Sequence, residues 1–287
     1  MDVAVIGAGR VGTAMAVLLR RAGHRIVAVA GSAATRGRAE RYLPGVPVLP
    51  NEPAARGAEI VLLGTPDAAI EPACAQLAKA GAIGAGTALA HLSGATGLDA
   101  LVTAEAVGVT VLSVHPLQTC PDVEASITRI PGSTFAVSAR SETGYTLGEQ
   151  LAVDSGGRPF RLDDAMKPLY HAAAVFASNY LVVLTALAEE LERTAGVPEP
   201  LEALTPIQRA TLDNIGTLGP GGALTGPSVR GDALTVERNL HALSEHAPDA
   251  VSVYVALADL ALSLAARSGR LSEDGRAAVE EVLARWR

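Results

Sequence analysis

Residues 3–12 read Val3-Ala4-Val5-Ile6-Gly7-Ala8-Gly9-Arg10-Val11-Gly12, and what this stretch is decides the fold. The first four residues are apolar and mostly β-branched, which fits a short buried strand. Residues 11–22 are rich in Ala and Leu and read as a helix. A GxGxxG run between a strand and a helix is the setting in which a dinucleotide's pyrophosphate is held. Gly7 permits the tight turn, Gly9 lets the backbone come close to a pyrophosphate, and Gly12 lets the helix pack on the strand. The helix N-terminus at Arg10 and Val11 offers free N–H groups and positive potential to the phosphates. The plain alternative is a Gly-rich strand-to-helix turn with no ligand. The position of the run at the start of a βαβ unit favours the dinucleotide reading.

Working outward, strand candidates recur at 26–30, 60–63, 88–91, 109–114 and 134–137, with a further one at 158–162 to close the domain. Ala-rich helical stretches lie between the early ones, at 33–42, 68–80 and 97–105. This rhythm predicts an α/β domain with a doubly wound parallel sheet. Strand signals stop near residue 163. Helical stretches follow at 167–195, 198–217, 232–246, 248–268 and 272–286, separated by Gly/Pro punctuation. The prediction is a Rossmann dinucleotide-binding domain over 1–162 and an all-α substrate and dimerisation domain over 163–287.

Composition narrows the class. The chain has 287 residues, 49% hydrophobic and 18% charged, which suits two domains with real cores and argues against disorder. Net charge is −7 with no basic face in sequence, so nucleic acid is not an expected partner. Two cysteines, Cys74 and Cys120, are too few for a disulfide framework. An apolar strand follows Met1 by two residues, leaving no space for a leader, so a cytoplasmic location is expected. The apolar stretches 172–188 and 250–266 are interrupted by polar residues and fall short of the roughly 20 needed to span a bilayer. They are expected to be buried helices of a soluble bundle, with no membrane partner. Their apolar surface predicts a homodimer formed through the helical domain.

The second strand ends before Gly31-Ser32-Ala33-Ala34-Thr35-Arg36. The Asp or Glu that usually holds the ribose hydroxyls of NAD is missing before Glu40, and Ser32, Thr35, Arg36 and Arg38 suit a 2′-phosphate, the plain alternative being that Arg36 and Arg38 are solvated helix residues. NADP is therefore the expected cofactor, with NAD left open. Gly64-Thr65-Pro66-Asp67 ends another strand, placing Thr65 and Pro66 by the cofactor and Asp67 at a helix cap. Two further strands end in His91-Leu92-Ser93-Gly94 and Ser113-Val114-His115-Pro116-Leu117-Gln118. Ser93, Gly94, His115 and Gln118 at one sheet edge suggest a polar pocket that takes a small substrate. Each histidine alone could be a satisfied, half-buried imidazole.

Only two of the 23 basic residues are lysines, Lys79 and Lys167. Lys167 opens the run Lys167-Pro168-Leu169-Tyr170-His171, and His171 shares its helix face. Ser178 and Asn179 follow near that face. These four polar groups on an apolar helix predict an active-site wall. The bland alternative is a surface lysine paired with Asp163 or Asp164. A lysine is the cation that can shift its pKa and move a proton, which arginine cannot. Arg230, in the loop Gly226-Pro227-Ser228-Val229-Arg230-Gly231-Asp232, suits a substrate carboxylate. It suits equally well an ion pair with Asp232. No metal site is expected.

VAVIGAGRVG, LLGTPDAAI, HLSGA, SVHPLQT, KPLYHAAAVFASNYLV and LTGPSVRGD together resemble the Rossmann-like proteins with a C-terminal DUF2520 domain. That group is similar to the superfamily of ketopantoate reductase, pyrroline-5-carboxylate reductase and β-hydroxyacid dehydrogenase. The resemblance covers nearly the whole chain, and HPLQT and KPLYHAAAVFASNY are its specific segments. Cys120 departs from it, standing where an aromatic residue is expected. The resemblance implies NAD(P)H, a helical domain that dimerises (as in 6-phosphogluconate dehydrogenase), and a catalytic lysine that matches Lys167. The family's asparagine four residues later is replaced here by His171.

The resulting expectation is an NAD(P)H-dependent reductase of a small 2-oxo acid. Lys167 or His171 protonates the developing alkoxide, and Asn179 and Ser178 orient the pair. Imine reduction and hydroxy-acid oxidation stay open, because the same acid serves both. A reduced deazaflavin in place of NADPH is a weaker option. From another class, a dinucleotide-binding sensor or scaffold without turnover fits the same motifs.

Overall fold

The structure is a computed structural model that describes residues 1–287. Two compact units divide the chain, Met1–Asn179 and Tyr180–Arg287. The sequence placed this division at 162/163. By compactness, residues 163–179, Lys167 among them, pack with the sheet.

In the first unit seven strands form one sheet: β1 (Asp2–Ile6), β2 (Arg25–Ala30), β3 (Ile60–Leu63), β4 (Ala88–His91), β5 (Thr110–Pro116), β6 (Thr134–Ala139) and β7 (Arg158–Arg161). Their order is β2-β1-β3-β4-β5-β6-β7. The helices are α1 (Arg10–Arg21), α2 (Thr35–Tyr42), α3 (Asn51–Ala55), α4 (Ile70–Lys79), α5 (Val102–Glu105), α6 (Val123–Arg129), α7 (Glu142–Asp154) and α8 (Lys167–Ala174). Side chains alternate between two buried faces, as a sheet covered on both sides requires. Val3, Val5, Leu62, Leu112 and Val114 belong to one apolar cluster. Ile6, Leu63, Leu89 and Val111 belong to the other.

The sheet is not parallel throughout. β1 to β5 are parallel, but β6 is antiparallel to β5, and β7 is parallel to β6. The β5–β6 connection holds one short helix, α6, which packs on α1. The chain therefore re-enters at the edge where β5 left it, pairing Pro116 with Phe135. A parallel return would need a crossover along the length of the sheet.

The second unit is helical: α9 (Tyr180–Thr194), α10 (Pro200–Ala223, kinked at Gly219), α11 (Pro227–Arg230), α12 (Ala233–His246), α13 (Ala250–Arg267) and α14 (Glu273–Ala284). Its core is Val236, Leu240, Val255, Leu262, Val279 and Leu283, from α12, α13 and α14. The expectation that 172–188 forms a buried helix is corrected here. No residue of α9 or α10 is buried, and Val182, Ile207 and Leu218 are each more than 60% exposed. These two helices pack on one another, and α10 also meets α13. By length and hydropathy, the helical run Asp164–Thr194 and α13 are both apolar enough to cross a membrane.

Candidate active site

The Gly-rich turn has the geometry its sequence suggested. Gly7 sits at φ +80°, and a Cβ on it would lie 2.6 Å from the Thr65 backbone nitrogen. A Cβ on Gly12 would lie 2.6 Å from the Gly7 carbonyl oxygen. The chain's own packing thus demands glycine at both positions. Gly9 differs, since its nearest neighbours would be 3.9 and 4.0 Å from a Cβ. Nothing in the protein needs Gly9 bare, so the space it leaves fits a ligand drawn against the backbone. Gly9 is also the N-cap of α1 and has no side chain to occupy the free N–H groups behind it.

At the end of β2, Ser32 and Arg36 are exposed, and Arg36 has no protein partner. Arg38 is committed elsewhere, donating through Nε to the Ala8 carbonyl at 2.8 Å. Arg10 donates to the Pro121 carbonyl at 3.0 Å. At the end of β3, Thr65 Oγ1 is buried with no partner, beside the Gly-rich turn. Pro66 caps a 3₁₀ turn, but Asp67 makes no capping bond, which corrects the role expected for it. Its charge instead acts on Lys167. The spare donor capacity at Arg36, the open Gly9 and the unpartnered Thr65 hydroxyl fit a phosphorylated dinucleotide lying across this edge.

The substrate end is built where β4 and β5 finish. Ile6, Leu63, His91 and Ser113 stand in one register row across β1, β3, β4 and β5, at the carboxyl edge where open α/β sheets bind ligands. Lys167, the first residue of α8, is completely buried on this row. Its Nζ donates to the Ser113 hydroxyl at 2.7 Å and the Ser93 carbonyl at 3.0 Å. Burial pushes its pKa down to about 8, against the pull of Asp164 and Asp67. Asp164 accepts the Leu98 N–H at 2.9 Å and presses against Gly97, pinning the approach to α8 onto the loop after β4. The surface-lysine alternative fails, since Lys167 pairs directly with neither Asp163 nor Asp164. Lys79 is the exposed one.

Two buried histidines flank the lysine. His91 accepts the Ser93 N–H at Nδ1, and its Nε2 is buried without a partner. Burial, then Lys167 and His115, lower its pKa to about 3. His115 Nδ1 lies 2.9 Å from the Tyr170 hydroxyl. Burial, then Lys167 and His171, lower the His115 pKa to about 4. Gly94 is required by this ring, because a Cβ there would lie 2.8 Å from His115 Cε1.

Other expected residues are placed differently. Ser93 uses its hydroxyl to close its own turn, accepting from the Ala95 and Thr96 N–H groups, so only its carbonyl meets Lys167. Gln118 is folded into its own loop with Arg129 and Ser133. His171 stays beside His115, with its Nδ1 buried and unpartnered. Ser178 and Asn179 lie in a π-turn, Val175–Asn179, and make no bond to Lys167 or His171. The extra residue per turn rotates them away from the regular helical face the sequence implied. Arg230 lies in the second unit, 3.8 Å from Asp232, which caps α12. Ser113 and Tyr170 were not singled out by sequence, and Asp164 only as a surface partner of Lys167. A buried serine in a strand and a tyrosine one helical turn from Lys167 are signals that only pairing gives meaning to.

Residues 1–116 match the Rossmann-like domain, the class that this fold and turn define. Residues 133–261 match a domain of unknown function, DUF2520. The chain therefore joins a Rossmann-like domain to a DUF2520 domain. No curated protein sequence matches it significantly. Among solved structures, it resembles a Bacteroides fragilis protein described as an NADP oxidoreductase. That match has 22% identity and a TM-score of 0.73, covering 91% of this chain and 98% of that one. A Thermotoga maritima protein matches at 21% identity and a TM-score of 0.72, covering 94% and 100%. An Aspergillus terreus reductive aminase, solved with NADPH and ethyl levulinate, matches at 22% identity and a TM-score of 0.64, covering 98% of both chains. At these identities the likeness establishes the fold.

Proposed function

We propose that this protein is an NADP(H)-dependent reductase acting on a C=O or C=N group of a small molecule, with a 2-oxo acid as the first substrate to test. The observation that carries the reading is the burial of the Lys167 ammonium at the carboxyl ends of β4 and β5. A buried cation is costly unless its charge is used or well paired, and here its direct partners are neutral. The open Gly9 and the partnerless Arg36 support NADP in particular. The structural relatives described as NADP oxidoreductases and reductive aminases agree.

NADPH, when bound, supplies a hydride. Gly7, Gly9, Gly12 and the N–H groups at Arg10 and Val11 would hold its pyrophosphate, Ser32 and Arg36 its 2′-phosphate, and Thr65 and Pro66 its ribose side. Lys167 supplies positive charge against the negative charge that grows on the substrate's oxygen or nitrogen. With a pKa near 8 it is mostly charged at neutral pH yet can exchange its proton. His115 and His171 complete the acid–base set. A general acid in such a site contributes about 10²–10⁴ in rate.

The exposed apolar sides of α9 and α10 support a second copy of this chain as their cover, hence a homodimer. The rival reading, a dinucleotide-binding sensor, draws on the complete enclosure of Nζ. The deciding experiment is NADPH oxidation with ketopantoate, pyrroline-5-carboxylate and several 2-oxo acids, for wild type and Lys167→Met. Turnover lost in the variant with NADPH binding intact supports the reductase. Tight NADPH binding with no turnover on any substrate would support the sensor.

A further inference from the structure

Lys167 carries the charge of the site, yet its Nζ is enclosed and has no face toward a ligand. His115 is different. Its Nδ1 is engaged by Tyr170, while its Nε2 has no protein partner and is not among the enclosed polar atoms. We propose that Nε2 of His115 is the atom that meets the substrate's oxygen or nitrogen, and that Tyr170 is a positioning residue acting through Nδ1 of the same ring. This rests on the reductase reading and assigns the acid work within it.

The ring is fixed on several sides. The backbone of Gly94 lies against its face, at a separation only glycine allows. Tyr170 meets it edge-on, with centroids 5.6 Å apart and planes at 88°. Phe160 packs on Tyr170 in turn, at 6.0 Å. A side chain held this way turns little, which is what positioned acid–base groups need.

Its surroundings favour a neutral imidazole. Lys167 and His171 face it from α8 and His91 from β4, while Asp164 and Asp67 act on Lys167 rather than on the ring. The phenol has Nδ1 as its protein partner, so donation from Tyr170 to Nδ1 satisfies its proton. That choice leaves Nδ1 bare and puts the ring's hydrogen on Nε2. Neutral imidazole can polarise a carbonyl from this form.

The protons balance. When the carbonyl carbon takes the hydride from NADPH, which is oxidised to NADP⁺, the oxygen takes the Nε2 proton. Nδ1 takes the Tyr170 hydroxyl proton, and the phenolate takes up one proton from bulk solvent, the proton that the overall reduction consumes. Burial pushes the Tyr170 phenol up to about 12, still below an alcohol's ordinary value, so transfer toward the developing alkoxide runs downhill. The Lys167 charge offsets the transient phenolate. For an imine, the nitrogen replaces the oxygen.

The test joins NMR of protein carrying ¹⁵N-labelled histidine to NADPH-oxidation kinetics, on wild type, Tyr170→Phe, His115→Asn and Lys167→Met. Wild type should show His115 protonated at Nε2, bare at Nδ1 and still neutral at pH 5. Tyr170→Phe should shift the ring toward a mixture of tautomers and lower kcat about tenfold or more, with KM for NADPH unchanged. His115→Asn should lower kcat by about 10²–10⁴. A proton on Nδ1 in wild type would overturn the proposal. So would a Tyr170→Phe variant that is slow with unaltered ring signals, or a His115→Asn variant within about twofold of wild type. If Lys167→Met is dead while His115→Asn is active, this inference fails and the reductase reading stands. No wild-type turnover on any substrate would sink both.

Discussion

Gly9 and Gly12 are three residues apart in one turn, and the structure gives them opposite duties. Gly12→Ala would set a Cβ 2.6 Å from the Gly7 carbonyl oxygen and 3.3 Å from a Val5 methyl. Neither neighbour can retreat, because one is backbone and the other is core. Overpacking of this kind costs about 1–3 kcal/mol. At this chain size each kcal/mol moves Tm by roughly 2–4 °C, so Gly12→Ala should melt several degrees early. Gly9→Ala meets nothing closer than 3.9 Å, and φ −79° suits alanine. Its Tm should stay near wild type, since an unstrained Gly→Ala change is worth at most about 0.4–1 kcal/mol, in the stabilising direction. NADPH affinity should respond in the other order. The added methyl of Gly9→Ala occupies the pyrophosphate's approach and should weaken Kd at least about tenfold, or 1.4 kcal/mol. Thermal melts and fluorescence titration with NADPH measure both quantities on each variant. If Gly9→Ala binds NADPH like wild type, the open space at Gly9 is not a ligand site, and the cofactor assignment falls with it.

Three other outcomes follow from the site and the helices. The Lys167 pKa drops on folding from its ordinary 10.5 to about 8, so between those values the unfolded chain holds a proton that the folded chain has lost. Stability should therefore rise with pH across that window. The drop corresponds to roughly 3 kcal/mol. Lys167→Met should accordingly raise Tm at neutral pH and flatten that rise, with Ser113 and Ser93 left to bond each other at 3.4 Å; an earlier melt with the pH dependence intact would refute the assignment. Asp164→Asn keeps an acceptor for the Leu98 N–H but removes a charge that props up Lys167. The alkaline limb of the kcat profile should move to lower pH, and an unmoved limb would show that the charge does not reach the lysine. On the exposed side of α9, Val182→Glu should yield a monomer in sedimentation if a second copy covers that face. Wild type sedimenting as a monomer, or floating with lipid vesicles, would rule out that cover.

Much of the fold was legible because strands buried on both faces write themselves as short apolar runs, as β1 to β4 do, whereas the exposed β7, Arg158–Arg161, is marked only weakly. Three helices of the first unit escaped the same reading, the five-residue α3 among them, and the residues of α7 and α6 say why. α7 contains Gly144 and Gly148, each of which lowers intrinsic helicity by about 1 kcal/mol. Those glycines let the helix lie close on the sheet, since a Cβ on Gly148 would come within 2.5 Å of a Val137 methyl. α6 is short and polar, and is marked chiefly by the Asp122 cap on the Ala125 N–H. Tertiary packing overrode propensity in one case, and a local cap outweighed a weak apolar pattern in the other.

The sequence by itself determined the α/β class, the helical second part, the Gly-rich turn and the candidacy of Lys167. Each depends on local order along the chain, a period of two, a spacing of glycines or a rare residue at a helix start. What Lys167 touches was decided by tertiary structure. Strand register set His91 beside Ser113, and α8 delivered the ammonium to that pair. His115 and Tyr170 are 55 positions apart. No local pattern links them, and they meet because β5 ends, and α8 begins, at the same edge of the sheet. Conversely, the apolar run at 172–188 promised burial that the chain did not provide. Hydropathy records that a surface must be covered, and only the packed structure shows that this chain leaves α9 and α10 uncovered.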